Sequence, residues 1–176
     1  MASLPSLLLL LILSFLFFLH PSFARVSPQS TKLVDKVCKL TPDYAFCIQS
    51  LDSKHRTSTA NLTGLGRISL DVALYNAKET FTYISELVNN VTDPTISVPV
   101  GRCFSLYQTT ISYILSATTN FEMKSYEMVK LLLSERGNNP KACEAEFKNV
   151  KSPLTRRNKD MSKLIVIAEV IAGLLA

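Results

Sequence analysis

The sequence predicts an all-α fold, an up-and-down four-helix bundle preceded by an N-terminal helical hairpin and held by two disulfides. Three observations predict it. Apolar residues recur at alternating steps of four and three along several long stretches, which is the spacing of helices that pack in a bundle. The alternating pattern of β-strands is almost absent. Four cysteines, an even set, follow a segment with the features of a secretory signal peptide.

The N-terminal segment predicts export. The first 24 residues contain no Lys, Arg, Asp or Glu, and Leu7–Leu19 is an almost unbroken apolar run. This run is shorter than the roughly 20 residues that span a bilayer, and Ser22 and Ala24 are small enough for a cleavage site before the next residue. We therefore expect residues 1–24 to be a signal peptide and residues 25–176 to form one secreted domain. A membrane anchor is the alternative.

Two short helices are expected at the start of the mature chain. Ser27-Pro28 and Thr41-Pro42 each place a capping residue before a proline, which favours the first turn of a helix. The predicted helices run from about Pro28 to Cys38 and from about Pro42 to Leu51. Together they form a hairpin within residues 25–58.

Export would place the four cysteines in an oxidising compartment, where they should pair. Three pairings are possible. The natural short loop joins Cys38 to Cys47, which leaves Cys103 and Cys143 to tie distant parts of the chain. A zinc site is disfavoured because the sequence has no Cys-x-x-Cys pair and His55 is the only histidine after residue 24.

The bundle, within residues 59–176, should begin with a long helix from about Ala60 to Asn90, which Asp93-Pro94 and Pro99 are expected to end. Its predicted seam is Leu70, Leu74, Ala77, Phe81, Ile84, Val88 and Val91. The second bundle helix should run from about Val100 to Thr119. Its seam is Val100, Phe104, Tyr107, Ile111, Ile114 and Thr118.

The rest of the bundle is predicted to contain one interrupted and one continuous helix. Ser125 is a candidate N-cap for a helix that runs to about Arg136, and Gly137-Asn-Asn-Pro140 then interrupts the pattern before a helix with Cys143 and Phe147. Ser152-Pro153 and Thr155 favour the start of the last helix. Its apolar face is Met161, Leu164, Ile165, Ala168, Ile171, Ala172 and Leu175, and a signal for a lipid anchor in this segment is the alternative.

The charge pattern disfavours nucleic-acid binding, because a net charge of +5 spread along the chain is modest. Two basic clusters stand out, Lys54-His55-Arg56 and Arg156-Arg157 with Lys159. They are interpreted as solvated loops and helix starts, or as sites of loose attraction to acidic wall polysaccharide.

Catalytic chemistry is poorly supported. His55 lies between two basic residues with no serine or cysteine at motif spacing, and carboxylate pairs such as Asp43 with Asp52 and Glu144 with Glu146 fit exposed helix charges. No phosphate-binding loop is present. The sequence therefore predicts a protein without catalytic residues, cofactor or metal. Two acceptor sequons, at Asn61 and Asn90, make N-linked glycosylation possible in an exported chain.

The motif Cys-x-x-Thr-x-x-Tyr-x-x-Cys, from Cys38 to Cys47, resembles the opening signature of the plant invertase and pectin methylesterase inhibitor family. The resemblance extends to Asn61-Leu-Thr-Gly-Leu-Gly-Arg-Ile-Ser69, to Cys143 followed by Phe147, and to Ser152-Pro-Leu-Thr-Arg-Arg-Asn-Lys-Asp160. It is strongest to members named as invertase inhibitors, of the plane-tree pollen allergen type. The resemblance implies the hairpin and bundle, sequential disulfides, and a stoichiometric complex that occludes the active site of a plant acid invertase.

The resemblance also indicates where the target would be contacted. Invertase inhibitors of this family carry a Pro-Lys-Phe element between the second and third bundle helices, and here Tyr126-Glu127-Met128 takes that place. The candidate target interface is Lys124, Ser125, Tyr126, Glu127, Met128 and Lys130, with Tyr126 as an aromatic anchor between two cations. Because the element is missing, a pectin methylesterase is the alternative target, and a non-inhibitory pollen or wall protein, recognised as an allergen, is the second alternative. The protein is expected in the apoplast or the vacuole.

Overall fold

The computed structural model describes residues 28–52, 57, 60–148 and 150–176. Helices account for most of them, and these residues include no β-strand, so the all-α prediction is confirmed. The helices are α1 Pro28–Cys38, α2 Tyr44–Asp52, α3 Leu62–Asn90, α4 Pro94–Glu122, α5 Tyr126–Arg136, α6 Asn139–Ala145 and α7 Thr155–Leu175. The predicted signal peptide and the cluster around His55 lie outside the described residues. In the described part of the chain, no helix has the length and apolar character needed to cross a membrane.

Four helices form the bundle, because α3 packs on α4, α4 on α5, α5 on α7, and α7 back on α3. The start of α3 lies beside the ends of α4 and α7, since a Cβ on Gly66 would approach both Phe121 and Ile171. The helices therefore run alternately up and down, as the sequence predicts. Helix α6 continues the path of α5 and packs between α4 and α7.

The hairpin of α1 and α2 is closed by the disulfide between Cys38 and Cys47. A second closure is polar, because Tyr44 Oη of α2 donates a hydrogen bond to Asp35 of α1 at 2.9 Å. Lys39 Nζ also donates to Asp35, at 2.7 Å, within the end of α1. Helix α2 begins at Tyr44 rather than at Pro42 as predicted. The carboxylate of Asp43 takes the capping position instead, accepting a hydrogen bond from the backbone N–H of Phe46 at 3.1 Å.

The prediction that Pro99 ends or separates the helices is wrong. Helix α4 begins at Pro94, six residues before the predicted Val100, and Pro99 lies inside it. The Asp93 side chain caps this helix by accepting from Thr95 N at 2.9 Å, and Pro94 fits the first helical position. Pro99 lies in the second turn, so its missing N–H removes only one hydrogen bond close to the helix end.

The core lies along the inner faces of the bundle and follows most of the predicted seams. Leu70, Ala77 and Ile84 of α3 are fully buried, but Val88 is 44% exposed although the same periodicity includes it. Arg157, in the first turn of α7, lies over the Tyr83 ring, so α3 extends beyond the start of α7 after this level. Val88 therefore has no α7 partner there.

A buried polar cluster joins α4, α6 and α7. The Tyr107 hydroxyl donates to Asn158 Oδ1 at 2.8 Å, and Asn158 Nδ2 donates to Glu144 Oε2 at 2.8 Å. Burial raises the pKa of Tyr107, so its hydroxyl keeps its proton and donates. The disulfide between Cys103 and Cys143 lies in the same region and joins α4 to α6. Both disulfides therefore have the sequential pairing.

Candidate functional site

The turn between α4 and α5 has a defined backbone geometry. Lys124 N donates to Phe121 O and Ser125 N donates to Asn120 O, each at 2.9 Å, which is the paired bonding of a Schellman motif. Such a motif needs one residue in the left-handed region, and here it is Lys124, at φ 58°. A side chain in that region costs about 1–2 kcal/mol relative to glycine. The structure thus keeps a lysine where glycine would be more stable.

Helix α5 begins immediately after this turn and exposes most of its first residues. Ser125 occupies the predicted N-cap position, but its side chain makes no capping hydrogen bond. We define the α4–α5 surface by its exposed residues, which are Met123, Lys124, Ser125, Glu127, Met128 and Lys130. Five of these six residues belong to the predicted interface.

Tyr126 differs from the aromatic anchor that the sequence suggested. Its ring is partly buried and packs edge-on against Phe121, with the ring centroids 5.3 Å apart. Within the α4–α5 surface, the exposed large apolar side chains are Met123, at 62% exposure, and Met128, at 45%. Leu131, one residue beyond the surface, is also exposed. Met123 was missed because a single methionine in a predicted connection carries no periodic signal.

The α4–α5 surface rests on a rigid contact between α3 and α4. A Cβ on Gly66 would lie 2.4 Å from Cζ of Phe121, so the aromatic ring packs directly on the helix backbone. Next to it, Arg67 donates to both carboxylate oxygens of Glu122, at 2.6 and 2.7 Å. This pair lowers the pKa of Glu122. The end of α4 is therefore held by α3 at Phe121 and at Glu122, and Phe121 in turn supports Tyr126.

The charges of the surface are mixed, with two lysines and one glutamate. Lys130 Nζ lies 3.8 Å from Glu127 Oε2, at the long end of an ion pair, and both side chains are well exposed. Lys124 has no ion pair among the described residues. Two lysines thus flank Met128 at the N-terminal end of α5.

The residues considered for catalysis make structural contacts. Asp43 pairs with Lys163 at 2.8 Å, Glu146 pairs with Arg102 at 2.8 Å, and Glu144 accepts from Asn158. In the described part of the chain, no group of three or more His, Cys, Asp or Glu side chains could hold a metal ion. His55 lies outside that part.

The two sequons lie at opposite ends of α3, and both asparagines are exposed. Asn61 is the N-cap, and its Oδ1 accepts from Gly64 N at 2.8 Å, which leaves the amide nitrogen pointing away from this bond. Asn90 instead uses its Nδ2, which donates to Glu86 O at 2.8 Å.

Comparison with known proteins assigns the family. A model described as "Plant invertase/pectin methylesterase inhibitor" matches residues 32–171, which include both disulfides, the α4–α5 surface and most of α7. The chain belongs to the plant invertase/pectin methylesterase inhibitor family. The family predicted from the cysteine motif is confirmed, and with it the prediction of an enzyme inhibitor rather than an enzyme.

Similar family members carry both kinds of name. A Platanus acerifolia protein named "Putative invertase inhibitor" is 32% identical over 145 residues, covering 80% of this chain and 81% of its own length. The "Pectinesterase inhibitor" of Actinidia deliciosa is 28% identical over 162 residues, covering 90% and 88%. The crystal structure of a mutant pectin methylesterase inhibitor from Arabidopsis has a TM-score of 0.74 at 20% identity, over 81% of this chain and 97% of that one. That similarity confirms the fold of the family.

Proposed function

We propose that this chain is a secreted inhibitor that forms a stoichiometric complex with a plant acid invertase and occludes its active site through the α4–α5 surface. One observation carries the location: Met123 and Met128 are exposed beside two exposed lysines, at a helix end that Gly66 and Arg67 of α3 contact. The choice of invertase rests on two Platanus relatives, 32% and 31% identical, whose names say invertase inhibitor.

The chemistry of the surface suits a carbohydrate-cleaving target. Glycoside hydrolases place a pair of carboxyl groups at the cleavage site, and a lysine that reaches them forms charge-assisted hydrogen bonds. Methionine side chains are flexible and adapt to irregular apolar walls. The cost of holding Lys124 in the left-handed region fits a residue kept for a contact rather than for stability.

The experiment measures residual activity of an acid invertase and of a pectin methylesterase, each titrated with the disulfide-intact chain from Arg25 onward at acidic pH. We expect the invertase to be inhibited with an endpoint at one inhibitor per enzyme. Inhibition of the methylesterase alone would transfer the proposal to the alternative target. Inhibition of neither by a folded protein would favour the non-inhibitory wall or pollen protein.

The surface is tested with matched charge reversals. The double variant K124E/K130E should weaken inhibition by at least about tenfold, because it replaces attraction at the interface by repulsion. The control K32E/K36E makes the same change in net charge at two exposed lysines of α1 and should inhibit like the parent protein. Equal inhibition by both double variants would place the interface elsewhere.

A second pair of variants tests the apolar part of the surface. M123A/M128A should also weaken inhibition, since buried side chains at the centre of an interface carry most of the binding energy. V98A/L115A, at two exposed positions of α4 outside the surface, is the control. An unchanged inhibition constant for M123A/M128A would show that the two methionines do not contribute to binding of the target.

We propose that Asn61 is glycosylated in preference to Asn90. Of these two asparagines, Asn90 donates its amide nitrogen to the backbone of α3, whereas Asn61 uses its oxygen. Mass spectrometry of protein secreted from plant cells, before and after enzymatic deglycosylation, checks each site.

The same spectra should show Arg25 as the first residue if the signal peptide is cleaved as predicted. A chain found with Met1 intact would contradict secretion by this route.

A further inference from the structure

The positive charge of the chain is concentrated in one short segment. Residues 148–163 contain six basic residues and one acidic residue, so their net charge of +5 equals that of the whole chain. The segment covers the connection before α7 and the first turns of that helix. Cations at a helix N-terminus oppose the helix dipole, so their placement is not explained by stability of α7.

The first turn of α7 forms one wall of a groove against α3. This α3–α7 groove has a volume of about 530 Å³, which is in the range of small-molecule sites. Its lining residues are Asn76, Tyr83, Pro153, Arg156, Arg157 and Asp160.

Arg157 is held in place by an aromatic ring and makes no side-chain hydrogen bond to the described residues. Its guanidinium lies 4.5 Å from the centroid of the Tyr83 ring, a cation–π contact that fixes the side chain. No carboxylate of the described residues forms an ion pair with it. A guanidinium presents five N–H donors in a planar fork that matches a carboxylate. Arg157 is therefore oriented for an anion that the described part of the chain does not provide.

The other lining groups point to the kind of anion. Arg156 is 95% exposed and lies 3.7 Å from Asp160, a contact too long and too solvated to occupy it. Asn76 and Asp160 add an amide and a carboxylate, which bind hydroxyl groups as donor and acceptor. The Asp160 carboxylate would repel a compact, multiply charged anion such as a phosphate. A ligand that carries both hydroxyls and single, spaced carboxylates fits this lining better.

We propose that the α3–α7 groove binds a uronic-acid oligosaccharide, with Arg157 and Arg156 pairing with its carboxylates. The groove lies at the start of α7, whereas Lys130 of the α4–α5 surface lies near Gly173 at the other end of that helix. Arg156 and Gly173 are 17 positions apart, which corresponds to roughly 25 Å of helix. An acidic polysaccharide bound in the groove would leave the proposed inhibitory surface free. The inference does not depend on that proposed function.

The test is calorimetric titration of the disulfide-intact protein with a galacturonic-acid oligomer of defined length. The matched ligand is the same oligomer with its carboxyls methyl-esterified, which keeps the hydroxyls and removes the charge. We expect binding of the free acid, at least about tenfold weaker binding of the ester, and weaker binding of the acid as salt is raised. Equal binding of acid and ester would overturn the proposal.

Variants locate the site. R156Q/R157Q should reduce affinity for the free acid by at least about tenfold, because two charge-assisted contacts are lost. The control K32Q/K36Q removes the same charge from exposed positions of α1 and should bind like the parent protein. Equal losses in both variants would show attraction to net charge alone and refute a site.

Folding controls, a conservative variant and two other anions complete the test. Circular dichroism and thermal unfolding establish that the variants are folded, and R157K, which keeps the charge but lacks the planar fork, should bind between the parent and R156Q/R157Q. Pyrophosphate and dextran sulfate serve as anions without uronate chemistry. If either binds more tightly than the oligomer and is lost in R156Q/R157Q, the groove is a general anion site and the uronate assignment is wrong.

Discussion

The contact between Gly66 and Phe121 gives a prediction in which the same substitution has opposite signs at two positions. In G66A the new methyl group would lie 2.4 Å from Cζ and 2.5 Å from Cε2 of Phe121, and 3.3 Å from Cγ2 of Ile171. Phe121 is 2% exposed, so the ring cannot turn into solvent. Overpacking of this kind costs about 1–3 kcal/mol. Alanine returns roughly 0.5–1 kcal/mol of helix propensity, so the free energy of unfolding should fall by about 1–2 kcal/mol.

Gly101 is the matched control. It lies inside α4, is exposed, and a Cβ there would meet no atom within 4 Å. G101A should therefore raise the free energy of unfolding by about 0.5–1 kcal/mol through helix propensity alone. The two variants should differ by about 2 kcal/mol, which for a domain of this size separates their melting temperatures by about 4–8 °C.

The assay is urea and thermal unfolding followed by circular dichroism with both disulfides intact. If G66A is stabilised as much as G101A, the close packing of Phe121 on the α3 backbone is not a constraint in solution. A destabilised G66A should also inhibit its target less well, because a displaced Phe121 no longer supports Tyr126. G101A should inhibit like the parent protein.

Three further predictions follow from single contacts. K124G should raise the free energy of unfolding by about 1 kcal/mol, because glycine relieves the left-handed backbone, yet it should weaken inhibition; unfolding and enzyme assays check both. Y107F should lower the free energy of unfolding by about 1–3 kcal/mol, since buried Asn158 Oδ1 loses its donor, and urea unfolding measures it. Glu122 has a lowered pKa beside Arg67, so its contribution is present above its ordinary pKa near 4.5 and is lost as pH falls through the lowered value; E122Q should show a flatter acid limb in unfolding measured against pH.

The helices were predictable because each has local signals that agree with its packing. Asn61 and Asp93 precede long periodic stretches, and both cap helices in the structure. The Pro99 prediction was wrong because the Asp93 cap, six residues upstream, has already begun the helix before Pro99 is reached. The prediction that Val88 is buried was wrong for a different reason. The periodicity of α3 continues past the level where α7 begins.

The candidate sites were less predictable, because they depend on which side chains the fold leaves unsatisfied. The family resemblance indicated the segment from Lys124 to Lys130 as a candidate, but not that Tyr126 packs inward on Phe121 while Met123 faces outward. Tyr126 packs inward because Phe121 lies beneath it, and the Phe121 ring is positioned by its contact with Gly66 of α3. The residue pattern of α5 alone cannot predict a contact that depends on α3.

The role of Arg157 could not be predicted from the sequence either. Its sequence neighbours predict either a solvated helix start or loose attraction to acidic polysaccharide, and nothing local distinguishes the two. The distinction comes from Tyr83, 74 positions earlier in the chain, which holds the guanidinium over its ring. A cation fixed by an aromatic ring, without an ion-pair partner in the described part of the chain, has already lost the conformational freedom that binding an anion would otherwise cost. The α3–α7 groove therefore differs from the exposed lysines of α1, which carry the same charge without preorganisation, and the comparison of R156Q/R157Q with K32Q/K36Q measures that difference directly.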